Sequence, residues 1–123
     1  MPTDPDPVTL SAVVRRAVFV VDPDGTAGIE DLLEPFEDDD EPLGSHGAEI
    51  AAQRIAEEAG ALDPQAEDPA VQLAAAVATY LAFRRDEVDA QPRELLMLAV
   101  RAEFDGEPPA GVRELLAEMG VQP

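Results

Sequence analysis

The sequence predicts a mainly α-helical fold: a compact bundle of four to five helices with an acidic N-terminal arm. Apolar residues recur at helical spacing through residues 45–119, and prolines and glycines stand where such helices would begin and end. Hydrophobic residues make up 46% of the 123 residues but aromatic residues only 4%, so Ala, Leu and Val fill the interior. A chain of this length can bury a core without cross-links, and it has no Cys to form them.

The predicted arm and its linker cover residues 1–44. Val18–Val21 are β-branched or aromatic and precede an Asp-Pro-Asp-Gly turn, which favours one short strand or hairpin. The whole segment from Leu10 to Val21 also fits helical spacing, with Thr9 as N-cap, so a helix stays the alternative to the favoured strand. We expect Thr26 to cap a short helix through Glu34, and the acidic run of residues 37–42 to be a solvated linker.

The helical body covers residues 45–123 and should contain four helices, each opened by a capping residue or a proline. We predict Ser45 to about Ala59 with Gly60 as the C′ residue, Pro69 to about Arg85 with Asp68 as N-cap, Pro92 to near Asp105, and Pro108 to Met119. The second of these is apolar on nearly every side. It should therefore be the central helix, buried by its neighbours.

The charge of the chain is one-sided, with 27 Asp and Glu against 8 Arg and no Lys, for a formal net charge of −19. Such a protein repels nucleic acid backbones and anionic membranes, so we expect neither as a partner. The acidity reflects either adaptation to salt or a function that needs negative potential. The N-terminal residues lack a basic signal region and no apolar run reaches the length of a membrane span, so we expect a cytoplasmic protein.

The segment Asp22-Pro23-Asp24-Gly25-Thr26, preceded by apolar residues 19–21, resembles the first motif of the haloacid dehalogenase phosphatases. This resemblance implies Asp22 as nucleophile, Asp24 as acid/base and a magnesium ion between them. It covers about eight residues, and the chain lacks both a Lys and the parallel strands that the family uses. We favour a simple turn, since Asp-Pro-Asp-Gly ends strands in unrelated proteins.

The same stretch is an incomplete calcium loop. Asp22, Asp24 and Glu30 are weak candidate metal ligands, but Ala27 replaces the turn glycine and Leu33 the closing bidentate Glu. His46 is the only histidine and no Cys is present, so neither zinc nor thiol chemistry is expected. We therefore predict no catalytic residue, no cofactor and no specific metal site.

The function expected from these observations is non-catalytic association, with the chain itself or with a protein partner. We favour a homodimer because three neighbouring helices rarely cover an apolar helix such as residues 69–85, unless the arm folds over it. The alternative is a DNA mimic or an inhibitor of a basic protein. A second alternative is a magnesium-dependent, phosphatase-like activity at the motif that begins with Asp22.

Overall fold

A computed structural model describes residues 9–25, 28–36, 47–65, 67–84 and 90–121. These residues form no β-strand and five α-helices: α1 (Leu10–Val21), α2 (Gly47–Leu62), α3 (Pro69–Phe83), α4 (Pro92–Phe104) and α5 (Ala110–Glu118). Two 3₁₀ turns, Ile29–Leu32 and Glu34–Phe36, lie between α1 and α2. The predicted compact helical bundle is thus confirmed.

Helix α3 is the centre of the bundle, as its sequence predicts. It contacts each of the other four α-helices, and most of its side chains are buried, among them Leu73, Val77 and Leu81. Its start also agrees with the prediction, since the Asp68 carboxylate accepts a hydrogen bond from the Ala70 amide at 3.0 Å and Pro69 occupies the first turn.

Helix α1 corrects the preference for a strand in the second half of residues 10–21. Thr9 is the N-cap, and its hydroxyl oxygen accepts a hydrogen bond from the Ala12 amide at 3.1 Å. The valines of α1 recur on the face that packs against α3 and the first 3₁₀ turn, and they are buried there. Burial against these neighbours outweighs the strand preference of β-branched residues, which depends strongly on context.

The segment after α1 forms two 3₁₀ turns rather than the predicted α-helix ending near Glu34. Ile29 and Leu32 are buried as expected. Thr26, the expected N-cap of the predicted helix, lies outside the described residues. Phe36 is fully buried, with the Arg54 guanidinium 5.0 Å from the centre of its ring. Arg54 also donates a hydrogen bond to the carbonyl of Pro35 at 3.2 Å, so these contacts fasten the segment to α2.

Helix α2 passes through Gly60 and ends at Leu62, so the prediction of Gly60 as the C′ residue is wrong. The Asp63 amide still donates to the carbonyl of Ala59 at 2.8 Å, and Pro64 has no amide hydrogen with which to continue. The Asp63 carboxylate then accepts hydrogen bonds from the backbone amides of Glu67 and Asp68, at 3.1 and 2.9 Å. This side chain shapes the connection to α3. Ser45, the predicted cap of α2, lies outside the described residues.

Helix α4 begins at Pro92 as predicted, whereas α5 begins at Ala110, with Pro109 as its N-cap residue, rather than at Pro108. Helix α4 ends at Phe104, and its C-cap residue Asp105 takes a left-handed backbone conformation with φ of 53°. One hydrophobic cluster gathers buried residues from all five helices, both 3₁₀ turns and Val121. Helix α1 of the predicted arm therefore shares its core with the body, while the division at residue 44 and the linker of residues 37–42 lie outside the described residues.

Candidate functional site

The ends of three helices enclose a cleft of about 510 Å³. It lies between the last turn of α1 with the turn that follows, the start of α4, and the end of α5. It is larger than the concavities on the outer faces of α5, about 420 Å³, and α4, about 360 Å³. We call it the acidic cleft; it is lined by Val20, Val21, Asp22, Pro23, Asp24, Pro92, Arg93, Leu96, Leu115, Glu118, Met119 and Val121.

The α1 side of the acidic cleft is the turn predicted from Asp-Pro-Asp-Gly. The Asp22 amide donates to the carbonyl of Val18 at 2.8 Å, and the Gly25 amide donates to the carbonyl of Asp22 at 3.2 Å. Gly25 has a φ of 71°, which glycine adopts without the strain a side chain would bring. Asp22 is buried, with 8% of its surface exposed, whereas Asp24 is exposed. The two carboxylates thus line one cleft in different environments.

The opposite side is made by α4 and α5, which one arginine ties together. Arg93, in the first turn of α4, donates from Nη2 to the carbonyl of Gly120 just after α5. Gly120 has a φ of 76°, and the amide of Val121 returns to the carbonyl of Leu116 at 2.8 Å. This is the usual way in which a glycine closes a helix, and it turns Val121 into the core. The shape of this wall therefore depends on Arg93 and Gly120 together.

The lining of the acidic cleft combines an apolar floor with a negative rim. The lining includes three carboxylates, of which Asp24 and Glu118 are exposed and Asp22 is buried, and one guanidinium, that of Arg93, which donates a hydrogen bond to a backbone carbonyl. Between them lie aliphatic side chains, including Leu96 and Leu115. Such a lining suits a group with a positive head and an apolar stem, the character of Arg and Lys side chains.

The three candidate metal ligands do not all line the acidic cleft, although the Glu30 carboxylate lies beside Gly25 of the turn. Asp22 and Asp24 line the acidic cleft, but Glu30 belongs to the first 3₁₀ turn and is not among the lining residues. In the part of the chain that the structure describes, no three His, Cys, Asp or Glu side chains gather in a way that could hold a metal ion. His46 lies outside that part.

The described residues also lack the structural setting that the phosphatase resemblance implies. It implies a strand leading into Asp22, but helix α1 leads into it, and Asp22 is the C-cap residue of that helix. The described ranges contain no strand on which a Rossmann-like sheet could be built. The motif therefore serves here as a helix-terminating turn.

Arg93 and Glu118 were not predicted from the sequence as site residues. They are separated from Asp22 by 71 and 96 positions, and no local pattern links them. The only sequence signal for this site is the turn itself, which places two carboxylates next to a helix end. Its partners across the cleft follow from how α4 and α5 pack against the core.

The described acids lie almost entirely on the surface. Within the described ranges, Asp22 is the only buried acidic residue. On α4, partial burial raises the pKa of the Glu103 carboxyl above its ordinary value, because loss of water disfavours the charged form. The excess of negative charge is thus displayed to solvent, where it repels itself and is available to a partner.

Added salt should therefore stabilise the fold. Screening of the repulsion among surface carboxylates lowers the free energy of the compact state relative to the unfolded chain. We expect the melting temperature to rise by several degrees between low and molar KCl, measured by circular dichroism. A parallel series in glycerol controls for general solvent effects. A melting temperature that stays flat or falls with KCl contradicts the expectation.

Comparisons with known proteins add no assignment, since no protein-family model, no curated protein and no solved structure matches this chain. None of the described helices combines the length and the apolar character needed to cross a bilayer. The functional conclusion consequently comes from the cleft and the charge.

Proposed function

We propose that this protein is a non-catalytic, acidic helical module that acts by binding a basic protein partner. The observation that carries the proposal is the acidic cleft, a concave surface with an apolar floor and a negative rim where three helix ends meet. The net charge of −19 supports it, because long-range attraction steers a basic partner and repels an acidic one.

Binding to another protein is favoured over self-association by the way α3 is covered. The expectation of a homodimer rested on an apolar surface of α3 left open by its neighbours. Helix α1 packs on α3 within the same chain, and α2, α4 and α5 contact it as well. Two copies of the chain also bring charges of the same sign together, which opposes pairing.

The proposal is tested by finding the partner and measuring the complex directly. The chain is immobilised and used to capture proteins from its host at moderate KCl, and each captured protein is identified, purified and titrated calorimetrically. We expect a partner with a basic binding segment and an affinity that falls steeply as KCl rises. A partner of acidic or neutral surface, or an affinity independent of salt, contradicts the proposal.

Competition with duplex DNA separates this function from that of a DNA mimic. A mimic occupies the surface on which its partner binds DNA, so DNA displaces it from the complex. The acidic cleft has an apolar floor that DNA phosphates do not imitate. We therefore propose the basic-protein binder first and keep the mimic as the outcome that complete displacement by DNA would establish.

We expect no phosphatase activity and no tight, stoichiometric binding of magnesium or calcium. Asp22 is buried at the end of a helix, and within the described residues no three carboxylates gather in a way that could hold a metal ion. An assay with p-nitrophenyl phosphate and magnesium should show no turnover that depends on Asp22. Any background turnover should therefore be the same in the Asp22→Asn variant. Calorimetry should show no saturating metal uptake, and micromolar uptake abolished by Asp22→Asn would contradict this prediction.

A further inference from the structure

We propose that the acidic cleft is the place where the partner docks, and that it receives an Arg or Lys side chain flanked by an aliphatic residue. This inference rests on the proposed function and adds the site and the chemistry of the docking segment. The positive head would lie between Asp24 and Glu118, and its aliphatic neighbour on the floor near Leu115 and Met119.

Charge complementarity selects this occupant. The rim holds the exposed carboxylates of Asp24 and Glu118, the buried Asp22 lies behind them, and the one guanidinium of the lining, that of Arg93, donates to the Gly120 carbonyl; the lining therefore has more negative than positive groups. An acidic segment would be repelled, and a purely apolar segment would have to remove water from Asp24 and Glu118 without replacing their interactions. A basic side chain satisfies the carboxylates while its methylene stem covers the aliphatic floor.

The helix ends around the cleft add to its negative potential. Helices α1 and α5 both end there, and the carbonyl end of a helix carries partial negative charge that favours a cation. Helix α4 begins there and offsets part of this effect with its positive end and with Arg93. Two helix C-termini and three carboxylates against one N-terminus and one arginine leave the cleft negative.

The size of the cleft limits what enters it. A volume of about 510 Å³ lies within the range of sites that take one small ligand, so it accommodates a few side chains rather than a folded domain. The cleft is thus the anchor of a larger contact. An anchor formed by a basic residue in an acidic recess is consistent with the enrichment of Arg among residues that dominate binding energies.

The test is a titration of the isotopically labelled full chain with a synthetic peptide of alternating Arg and Leu, followed by NMR. A peptide in which Glu replaces Arg is the matched control. We expect the Arg peptide to shift signals of the residues around the cleft, among them Asp24, Leu115 and Met119, and the Glu peptide to leave them unchanged. Equal shifts with both peptides, or shifts confined to other surfaces, would overturn the inference.

Two double variants with the same change in charge sharpen this test. Asp24→Asn with Glu118→Gln removes the exposed carboxylates of the rim, while Glu49→Gln with Glu57→Gln removes two exposed carboxylates of α2. We expect the rim variant to weaken peptide binding about fivefold, from roughly 0.5 kcal/mol per exposed charge pair. The α2 variant should change it less than twofold, which is all that long-range screening would leave. All four residues are exposed, and thermal melts verify that both variants fold.

The outcomes separate the inference from the function on which it rests. Equal weakening by both double variants means that the peptide is held by overall charge, which overturns the cleft as docking site and leaves the proposed function standing. Cleft signals that shift with protein concentration alone mean that a second copy occupies the site, which overturns the inference. Failure of every basic peptide and basic partner to bind overturns the proposed function itself.

Discussion

Replacing Leu81 by Ala should lower the free energy of unfolding by about 3 kcal/mol, the loss typical of a buried leucine truncated in a packed core. Leu81 lies on the central helix α3 and has none of its surface exposed. The truncation removes its apolar contacts and leaves a cavity that helices packed on several sides cannot close. Urea denaturation followed by circular dichroism measures the change.

Leu62→Ala is the matched control for this prediction. Leu62 is the last residue of α2 and keeps 37% of its surface exposed, so the same truncation should cost less than about 1 kcal/mol. Losses of equal size at the two positions would contradict the placement of α3 at the centre of the bundle.

Val14→Asp should unfold most of the protein, or reduce its stability by more than about 3 kcal/mol, because it places an unpaired carboxylate in the core. Val14 is completely buried in α1, on the face that packs against α3. Ala12→Asp adds the same charge to the same helix at an exposed position near its N-terminus, where a negative charge is favourable. It should leave stability almost unchanged.

This pair of variants decides whether the N-terminal helix belongs to the fold. If α1 is part of the hydrophobic cluster, only Val14→Asp is severe, and a loss of the far-ultraviolet helical signal accompanies it. If both variants fold and melt like the unmodified chain, α1 does not support α3, and the coverage of α3 has to come from elsewhere.

The helices of the body could be predicted from sequence because the residues that start and stop them lie at or next to their ends. A carboxylate before Pro69, the proline at residue 92 and the Asp-Gly pair after Phe104 each act through the nearest backbone groups. The apolar character of α3 also predicts its central position. Burial all round requires neighbours on all sides.

The N-terminal segment could not be predicted because its local and long-range preferences disagree. Its valines favour a strand by local preference, yet their spacing also suits one face of a helix. Contact with α3, which lies almost fifty residues further along the chain, decides the outcome. The prediction of Gly60 as the C′ residue is wrong because the helix continues through it and is stopped only by Asp63 and Pro64.

The sequence does not predict the acidic cleft, but it predicts the turn that forms one of its walls. The Asp22–Gly25 turn has a clear signature, and its two carboxylates were recognised as candidate residues. Arg93 and Glu118 join them only because α4 begins and α5 ends beside that turn. The resemblance to a catalytic motif falls on residues that line this cleft, but a helix and not a strand leads into Asp22.

The central claim is that α1, α2, α4 and α5 cover α3 within one copy, apart from the exposed Phe83 at its end, so that function is left to the acidic surface and its cleft. Multi-angle light scattering at micromolar concentrations in moderate KCl tests this most directly. The account predicts a single species of 13.1 kDa that does not change with concentration. A stable species of twice that mass would contradict it and establish self-association, the role first expected from the apolar surface of α3.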